Sequence, residues 1–522
     1  MPVIRRIKKR AGFVITGGLA LLVVAGCVIT SVSVNEVKPS GEGTVVRSPL
    51  KAHMMDGSTV VFADGAAVGP DIVRGVGQRF ALAGGPAVPV SSLPIDSVIG
   101  MESYQTRTHV GQTILASTAA VVLGTAVTAG LAVAIFGSCP TFYSDSAGTD
   151  VLEAEGFSYS IAPLFEQRDV DALRATVGAN GVLRLEVRNE ALETHYINQL
   201  EVLQTEHSRD ETVVPDEKGI PIALKDACAA GVARDRAGRD VSFAISRTDG
   251  KVFSTAPVTL ARASATDLLD YIDVSVPRPA TADSIALMFR LRNSLLNTVL
   301  LYDGMLGGAG VSSLDWLGRD VQKISTAIDL GKWYSKNMGM RIAVRDGGVY
   351  REVARFTDKG PIAFHDIAVV VPVVEVDSVR IRLSFVSDDW RIDRLAISSS
   401  FRRPDVTRVQ LAAVVGTDGA LDSAALTSLR SADDRYLVTS PGQRFSARFS
   451  VSASEKPSPH TFFLVSQGYY TEWVRGGWLK RSTATSKPFA PTDSALAQAV
   501  ASWRTQQKSL EQRFYSSRIP TR

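Results

Sequence analysis

The sequence predicts a mainly β protein: a small N-terminal β barrel or roll, one apolar helix, then β-sandwich-like domains with a helical insertion and a C-terminal helix. Three observations carry that expectation. Short apolar runs broken by Asp-Gly turns fill residues 43–107, and strand-length segments of alternating polarity recur between residues 138 and 481. Helical spacing or unbroken apolar length beyond the N-terminal leader is confined to three stretches, at 114–137, 312–339 and 496–514. At 522 residues the chain exceeds what one hydrophobic core serves, and with 45% hydrophobic and 21% charged residues it is a folded chain. A formal charge of +4 arises from 57 basic residues scattered among 53 acidic ones. No long basic block lies outside the N terminus, so no nucleic-acid partner is expected.

The N terminus carries Arg5, Arg6, Lys8, Lys9 and Arg10, then an apolar stretch from Ala11 to Ala25. These are the n-region and h-region of a secretory signal. Its end, Val24-Ala25-Gly26-Cys27, resembles the lipobox of bacterial lipoproteins, in which the thiol is alkylated by diacylglycerol and becomes the new N terminus. The resemblance implies a signal peptide over 1–26, lipidation (acylation of the palmitate type) at Cys27, and residence in the bacterial cell envelope. The bulk of the chain is then expected in the periplasm or outside the cell. An uncleaved anchor with an incidental cysteine is the alternative.

Residues 27–42, with Pro39 and Gly41, read as a tether. In the small β domain that follows, 43–107, Asp56-Gly57 and Asp64-Gly65 are hairpin signals, because the turn needs positive φ angles that glycine tolerates. About five short strands are expected there. The segment 113–137 has no charge, and from Ile114 to Gly137 it is long enough to span a bilayer. Gly124, Gly130 and Gly137 among many Ala, Ser and Thr residues allow close helix packing. Three readings are open: a span, a helix lying in or against the membrane, and a helix buried between domains. Asp145, Asp150, Glu153 and Glu155 follow it without nearby Lys or Arg, which favours membrane contact with the C-terminal bulk exported. Membrane lipid, through Cys27 and 114–137, is therefore the expected partner, alongside an envelope protein or glycan.

Beyond this point the expected units are a β domain over 138–265, a β-sandwich-like domain over 266–404, a β segment over 405–481, and a linker with a C-terminal helix over 482–522. Residues 181–189, GVLRLEVRN, alternate and place Val182, Leu185 and Val187 near one core. Leu314, Leu317, Val321, Ile324 and Ile328 recur at helical spacing, so a helix interrupts the strands. Leu496, Val500, Trp503, Leu510 and Phe514 form one stripe of the last helix, with Thr492 or Asp493 as N-cap. SCPTFY at 138–143, followed by the RNE…E..Y.N..E pattern of Arg188-Asn189-Glu190, Glu193, Tyr196, Asn198 and Glu201, resembles a block of uncharacterised bacterial envelope lipoproteins. The resemblance implies no activity. Asn189, Glu190, Glu193 and Asn198 are read as polar groups near strand ends that satisfy one another and nearby backbone.

No GxSxG, HExxH, GxxxxGK or CxxC pattern occurs, and no cofactor, metal or catalytic residue is assigned. The chain has three cysteines. With Cys27 committed to lipid, Cys139 and Cys228 remain as an even pair, and an oxidising compartment makes a disulfide the default. His195 and His207, expected on two strands of a hairpin, and the flexible glycine run at 304–310 are the weaker motifs. Asp388, Asp389 and Asp393 around Trp390 are the candidate ligand-binding group, suited to a cation or to a sugar stacked on the indole, with a solvated strand turn as the alternative. Tyr469, Tyr470, Trp473 and Trp478 suit either an aromatic platform or a core. The expected role is non-catalytic binding or scaffolding. The rival is an envelope hydrolase acting on carbohydrate or peptide through the carboxylates near Trp390.

Overall fold

The computed structural model describes residues 30–108, 139–306, 320–472 and 492–521, with short interruptions. Cys27, the apolar segment 114–137, most of the glycine run, Trp473 and Trp478 lie outside the described residues. Among the described residues, no helix is long and apolar enough to cross a membrane.

The chain is mainly β, as its alternation predicts. In the N-terminal part, seven strands rather than about five follow residue 43, and Thr30–Glu36, in the stretch expected to be a tether, joins them in one eight-stranded antiparallel sheet. Thr30–Glu36 pairs with Val98–Thr108, which continues through Leu50–Met54, Thr59–Phe62, Ile72–Phe80 and Ala66–Val68 to Thr44–Val46; Val88–Pro94 also pairs with Ile72–Phe80. Leu50, Ala52, Val60, Phe62, Val73 and Met101 fill its concave face. The strands on either side of Asp56-Gly57 do pair as a hairpin. Gly65 takes the expected positive φ of 87°, but its turn joins strands that are not neighbours, because Ile72–Phe80 lies between them.

Two β sandwiches follow, and their order along the chain is not sequential. One sheet of the first runs Thr149–Glu155, Thr141–Ser146, Val182–Arg188, Arg444–Ser450, Leu411–Val415. The facing sheet runs Gln167–Leu173, His460–Glu472, Glu193–Glu206, Thr407–Val409, with Leu437–Thr439 also on Glu193–Glu206. Each sheet therefore joins strands from about 140–206 to strands from about 407–472. Leu183, Leu185, Val187 and Phe449 on one inner face meet Leu200, Val202 and Leu464 on the other. The pleat has period two, so Leu183, not Val182, joins Leu185 and Val187 in the core.

The second sandwich is inserted into the first. Its sheets are Cys228–Ala229, Trp390–Ser398, Ser284–Asn293, His365–Pro372, and Val232–Asp235, Leu269–Pro277, Ser378–Val386, Met340–Asp346, Val349–Phe356. Ile272, Leu287, Phe289, Ile367, Ile381 and Leu383 lie in its core. A three-stranded sheet of Glu211–Pro215, Pro221–Lys225 and Ser400–Arg402 ties together the chain entering and leaving it. The boundary expected near 265 falls inside this sandwich, since Val232–Asp235 pairs with Leu269–Pro277. The chain returns to the first sandwich at Thr407–Val409.

The helical insertion is present at Ile324–Asn337, but its buried face is Ala327, Leu330, Gly331 and Tyr334, and Ile324 is exposed. The stripe counted from Leu314 was out of phase because continuous helix begins only at Ile324. The C-terminal helix Asp493–Ser516 docks as expected. Leu496, Val500, Trp503 and Leu510 are buried, Phe514 packs against them, and the Thr492 hydroxyl accepts from the Ala495 N–H at 3.0 Å.

Candidate functional site

The aspartates around Trp390 form a sealed joint, not an open site. Trp390 begins strand Trp390–Ser398 opposite Asn293 and is 0% exposed, its indole edge-on to Phe356 at 5.6 Å. No sugar can stack on it. Asp388, Asp389 and Asp393 are 2%, 0% and 2% exposed, which also overturns the solvated-turn alternative. Asp388, at φ 65°, takes both forks of Arg391 at 2.8 and 3.0 Å and accepts from the Trp503 indole N–H at 2.7 Å and the Thr255 N–H at 3.2 Å. Asp393 accepts from the Asp249 and Gly250 N–H groups at 3.3 and 3.0 Å and lies 3.5 Å from Arg290.

Asp389 meets a second buried carboxylate, Asp358. Burial first, and then the Asp358 charge, hold the Asp389 carboxyl well above the usual carboxylate range; burial raises Asp358 too, against hydrogen bonds from Tyr334, Asn293 and Asn297. Both carboxyls are thus held above the usual range, Asp389 the further because Asp358 adds its charge to the burial. Asn297 donates to Asp358 at 2.6 Å, the Tyr334 hydroxyl also donates to it, and Asn293 links Asp389 at 3.3 Å to Tyr159 at 3.2 Å. These bonds join the inserted sandwich, helix Ile324–Asn337, the buried loop around Tyr159 and the C-terminal helix. Their carboxylates are occupied in holding the molecule together.

A second polar joint lies between the sandwiches. His365 Nδ1, on the inserted sandwich, is 2.6 Å from Asp171 Oδ1 of the first, and its Nε2 is 3.8 Å from Glu155 Oε1. Burial pulls the imidazolium down, but the two carboxylates outweigh it and hold His365 at about 9. Burial raises Glu155, against its bonds from His365 and the Ile362 N–H. Gly360 passes over this carboxylate at φ 127°, and a Cβ there would fall on Glu155 Oε1.

The histidine pair does not form. His195 lies near the start of one fourteen-residue strand, Glu193–Glu206, and His207 just past its end, rather than across a hairpin. His195 is buried beside Glu193 at 3.3 Å and is lowered to about 3 by burial, so its ring is neutral. Among the described residues no group of His, Cys, Asp and Glu is arranged to hold a metal ion. In the polar block, Asn189 donates to the carbonyls of Glu193 and Thr439, both at 3.0 Å, Asn198, at a bulge within Glu193–Glu206 rather than near a strand end, exchanges two bonds with the Asp433 backbone, and Glu190 accepts from Thr141 and Tyr143. Tyr470 is core, whereas Tyr469 stacks on Tyr196 at 4.6 Å.

The expected bridge is absent, because Cys139 and Cys228 are both free thiols. Cys139 is buried just before Thr141–Ser146, where burial and the charges of Glu155 and Glu193 push its thiol up. Cys228 is exposed on an edge strand of the other sandwich, opposite Ile397. The even count could not show that the two thiols belong to different sheets. Alkylation of the native protein should modify Cys228, and Cys139 only after denaturation, as read by peptide mapping. Protection of both in unreduced, denatured protein would restore the bridge.

Two open concavities among the described residues lie on the first sandwich. A groove of about 640 Å³ runs beside Val414, Thr417, Asp422, Thr439, Gln443 and Arg444. A hollow of about 200 Å³ adjoins it, lined by Arg184, Glu186, Thr417, Arg444, Ser446 and Arg448. Sequence reasoning missed both. Alternating arginines on a strand read as a solvated face, and the strands that bring them together are some 260 residues apart.

No protein-family model matches the chain, and no curated protein does. Among solved structures, the C-terminal CBM6 of LamC, a marine laminarinase from Zobellia galactanivorans, shares 9% identity over 38% of this chain and 98% of that one, with a TM-score of 0.15. A GH31 alpha-xylosidase from Xanthomonas citri shares 10% over 83% and 38%, with a TM-score of 0.16. An exo-beta-1,3-galactanase from Phanerochaete chrysosporium shares 8% over 68% and 82%, with a TM-score of 0.15. Overlaps this slight assign neither a family nor an activity.

Proposed function

We propose that this chain is a lipid-anchored protein of the bacterial cell envelope whose large β region binds or scaffolds rather than catalyses. The observation that carries the reading is the burial of Trp390, Asp388, Asp389 and Asp393. A hydrolase needs its carboxylates beside a cavity that admits substrate. Asp388 and Asp393 are instead committed to arginines, an indole N–H and backbone donors, Asp389 to Asn293 and Asp358, and Trp390 to packing on Phe356, and the rival loses the residues it would use. The groove beside Thr417 and Thr439 is open on one side, a form suited to holding an extended partner. The basic leader and Val24-Ala25-Gly26-Cys27 support the anchor. Two or three acyl chains hold stably, at about 0.8 kcal/mol per buried methylene, where one is marginal.

The test is photo-cross-linking in cells from a reactive residue placed at Thr417, in the Cys27 chain and in Cys27→Ala. An envelope glycan or protein should be captured by the first. The Cys27→Ala chain should incorporate no labelled fatty acid and leave the membrane fraction enriched in unprocessed precursor. Unchanged labelling would remove the anchor. Hydrolysis of envelope polymer that Asp393→Asn abolishes without unfolding the protein would replace binding with catalysis.

A further inference from the structure

The outer face of the sheet that carries the hollow has a charge pattern that the fold does not balance. Val182–Arg188 and Arg444–Ser450 are antiparallel neighbours, and their register sets Arg184 opposite Arg448, Glu186 opposite Ser446, and Arg188 opposite Arg444. Two pairs of like charges thus face each other across one ladder, at a Cβ separation of about 5 Å, an arrangement that destabilises a sheet unless something neutralises it. For the second pair the chain supplies the counter-charge. Arg188 and Arg444 both reach Glu186 Oε1, at 2.5 and 3.1 Å, and Arg188 also takes Asp150 at 2.5 Å.

The first pair has no such compensation. Among the described residues neither Arg184 nor Arg448 has a carboxylate partner, and the one side-chain bond of Arg184 is from Nε to the buried Ser446 hydroxyl at 3.0 Å. That bond aims the guanidinium and leaves its outer nitrogens unused. Across the ladder from Arg448 on the edge strand stands Ala413, whose methyl leaves the flank of the guanidinium open. The 200 Å³ hollow lies against both arginines and opens, past Thr417 and Arg444, into the larger groove. There the lining offers the Ser423 hydroxyl and the Gln443 amide, together with Asp418 and Asp422, whose carboxylates accept from the backbone N–H groups of Ala420 and Ala425.

We infer that the Arg184–Arg448 hollow is a carboxylate-binding subsite and that the groove leading from it takes an acidic oligosaccharide, one that bears a carboxylate on a hydroxyl-rich chain. This inference rests on the binding reading above and names its ligand class. Paired guanidiniums match a carboxylate in planar, forked geometry, and the hydroxyl and amide lining beyond matches sugar hydroxyls. An acidic peptide would supply the charge but would leave those groups without hydroxyl partners.

The full-length chain in detergent is titrated calorimetrically with polygalacturonic acid, with its fully methyl-esterified form, which keeps the chain and masks the charge, and with polyglutamate. Wild type should bind polygalacturonate, bind the methyl ester and polyglutamate at least tenfold more weakly, and lose affinity as salt rises. Arg184→Gln/Arg448→Gln changes two exposed side chains and should keep the wild-type circular dichroism spectrum while losing at least tenfold in affinity for polygalacturonate. Equal binding by this variant, or equal binding of the methyl ester, overturns the carboxylate subsite and leaves the groove as a neutral binding surface. Polyglutamate binding as tightly as polygalacturonate overturns the saccharide assignment. No binding of any of the three polymers overturns the inference, while the cross-linking experiment decides the binding reading separately.

Discussion

Asp388→Ala should lower the unfolding free energy by about 3–5 kcal/mol, the usual loss when one partner of a buried ion pair is removed and the other is left uncompensated. Arg391, itself buried, would lose both forks of its partner, and the Trp503 N–H would lose its acceptor. Two elements loosen together, the strand that begins at Trp390 and the C-terminal helix, because one carboxylate serves both. Trp503→Phe, which deletes the donor and keeps an aromatic ring, should cost less, on the order of 1.5–3 kcal/mol for a hydrogen bond to a charged group. The two effects should be strongly non-additive, since both act on the same oxygen. Urea unfolding of the single and double variants measures this. A loss of under about 1 kcal/mol in Asp388→Ala would mean that the joint does not hold the helix.

Stability should fall as pH rises from about 6.5 to about 9, by on the order of 3 kcal/mol. The cause is His365. Its folded-state value of about 9 lies above the ordinary 6.5 of the unfolded chain, so its contribution is fully present below pH 6.5 and is lost as pH passes through 9. The groups facing it are Asp171 and Glu155, with Asp169, Lys359 and Asp366 nearby. Burial also raises Glu155 and Asp169, so whatever stability their protonated forms contribute is likewise lost as pH rises, from the lower starting values of a carboxyl. Loss of the charge on His365 leaves two buried carboxylates between the sandwiches with no cation between them. His365→Gln should be less stable near pH 6 and show a flat profile between pH 6.5 and 9. Urea midpoints across that range report it, and an equal slope in wild type and variant would place the titration elsewhere.

Several features of this molecule were legible along the chain because they repeat over a few residues. The alternation at 181–189 marked a strand, and the stripe from Leu496 to Phe514 marked a docked helix, with Thr492 as its cap. Even the local errors were errors of phase, by one residue at Val182 and by a wrong starting point for the helix at Ile324. That Asn189 bonds to the Glu193 carbonyl was likewise readable, since the two are four residues apart.

What could not be read were the meetings between distant segments. Asp388 bonds to Trp503 across 115 residues, and His365 to Asp171 across 194. Asp388, Asp389 and Asp393 looked like a surface cluster because carboxylates are seldom buried unless paired, and nothing near them in the chain announced Trp503, Asn293 or Asp358 as partners. The insertion of one sandwich into another was hidden for the same reason. Strand-forming tendency is carried by the pleat and is local, whereas the identity of the neighbouring strand is settled by which faces close a common core. Thus the alternation sufficed for the β class, and the helically spaced stripe for the C-terminal helix. The nesting of the sandwiches, the sealing of the carboxylates and the unpaired arginines facing the groove arose only when strands from both ends of the chain were laid side by side.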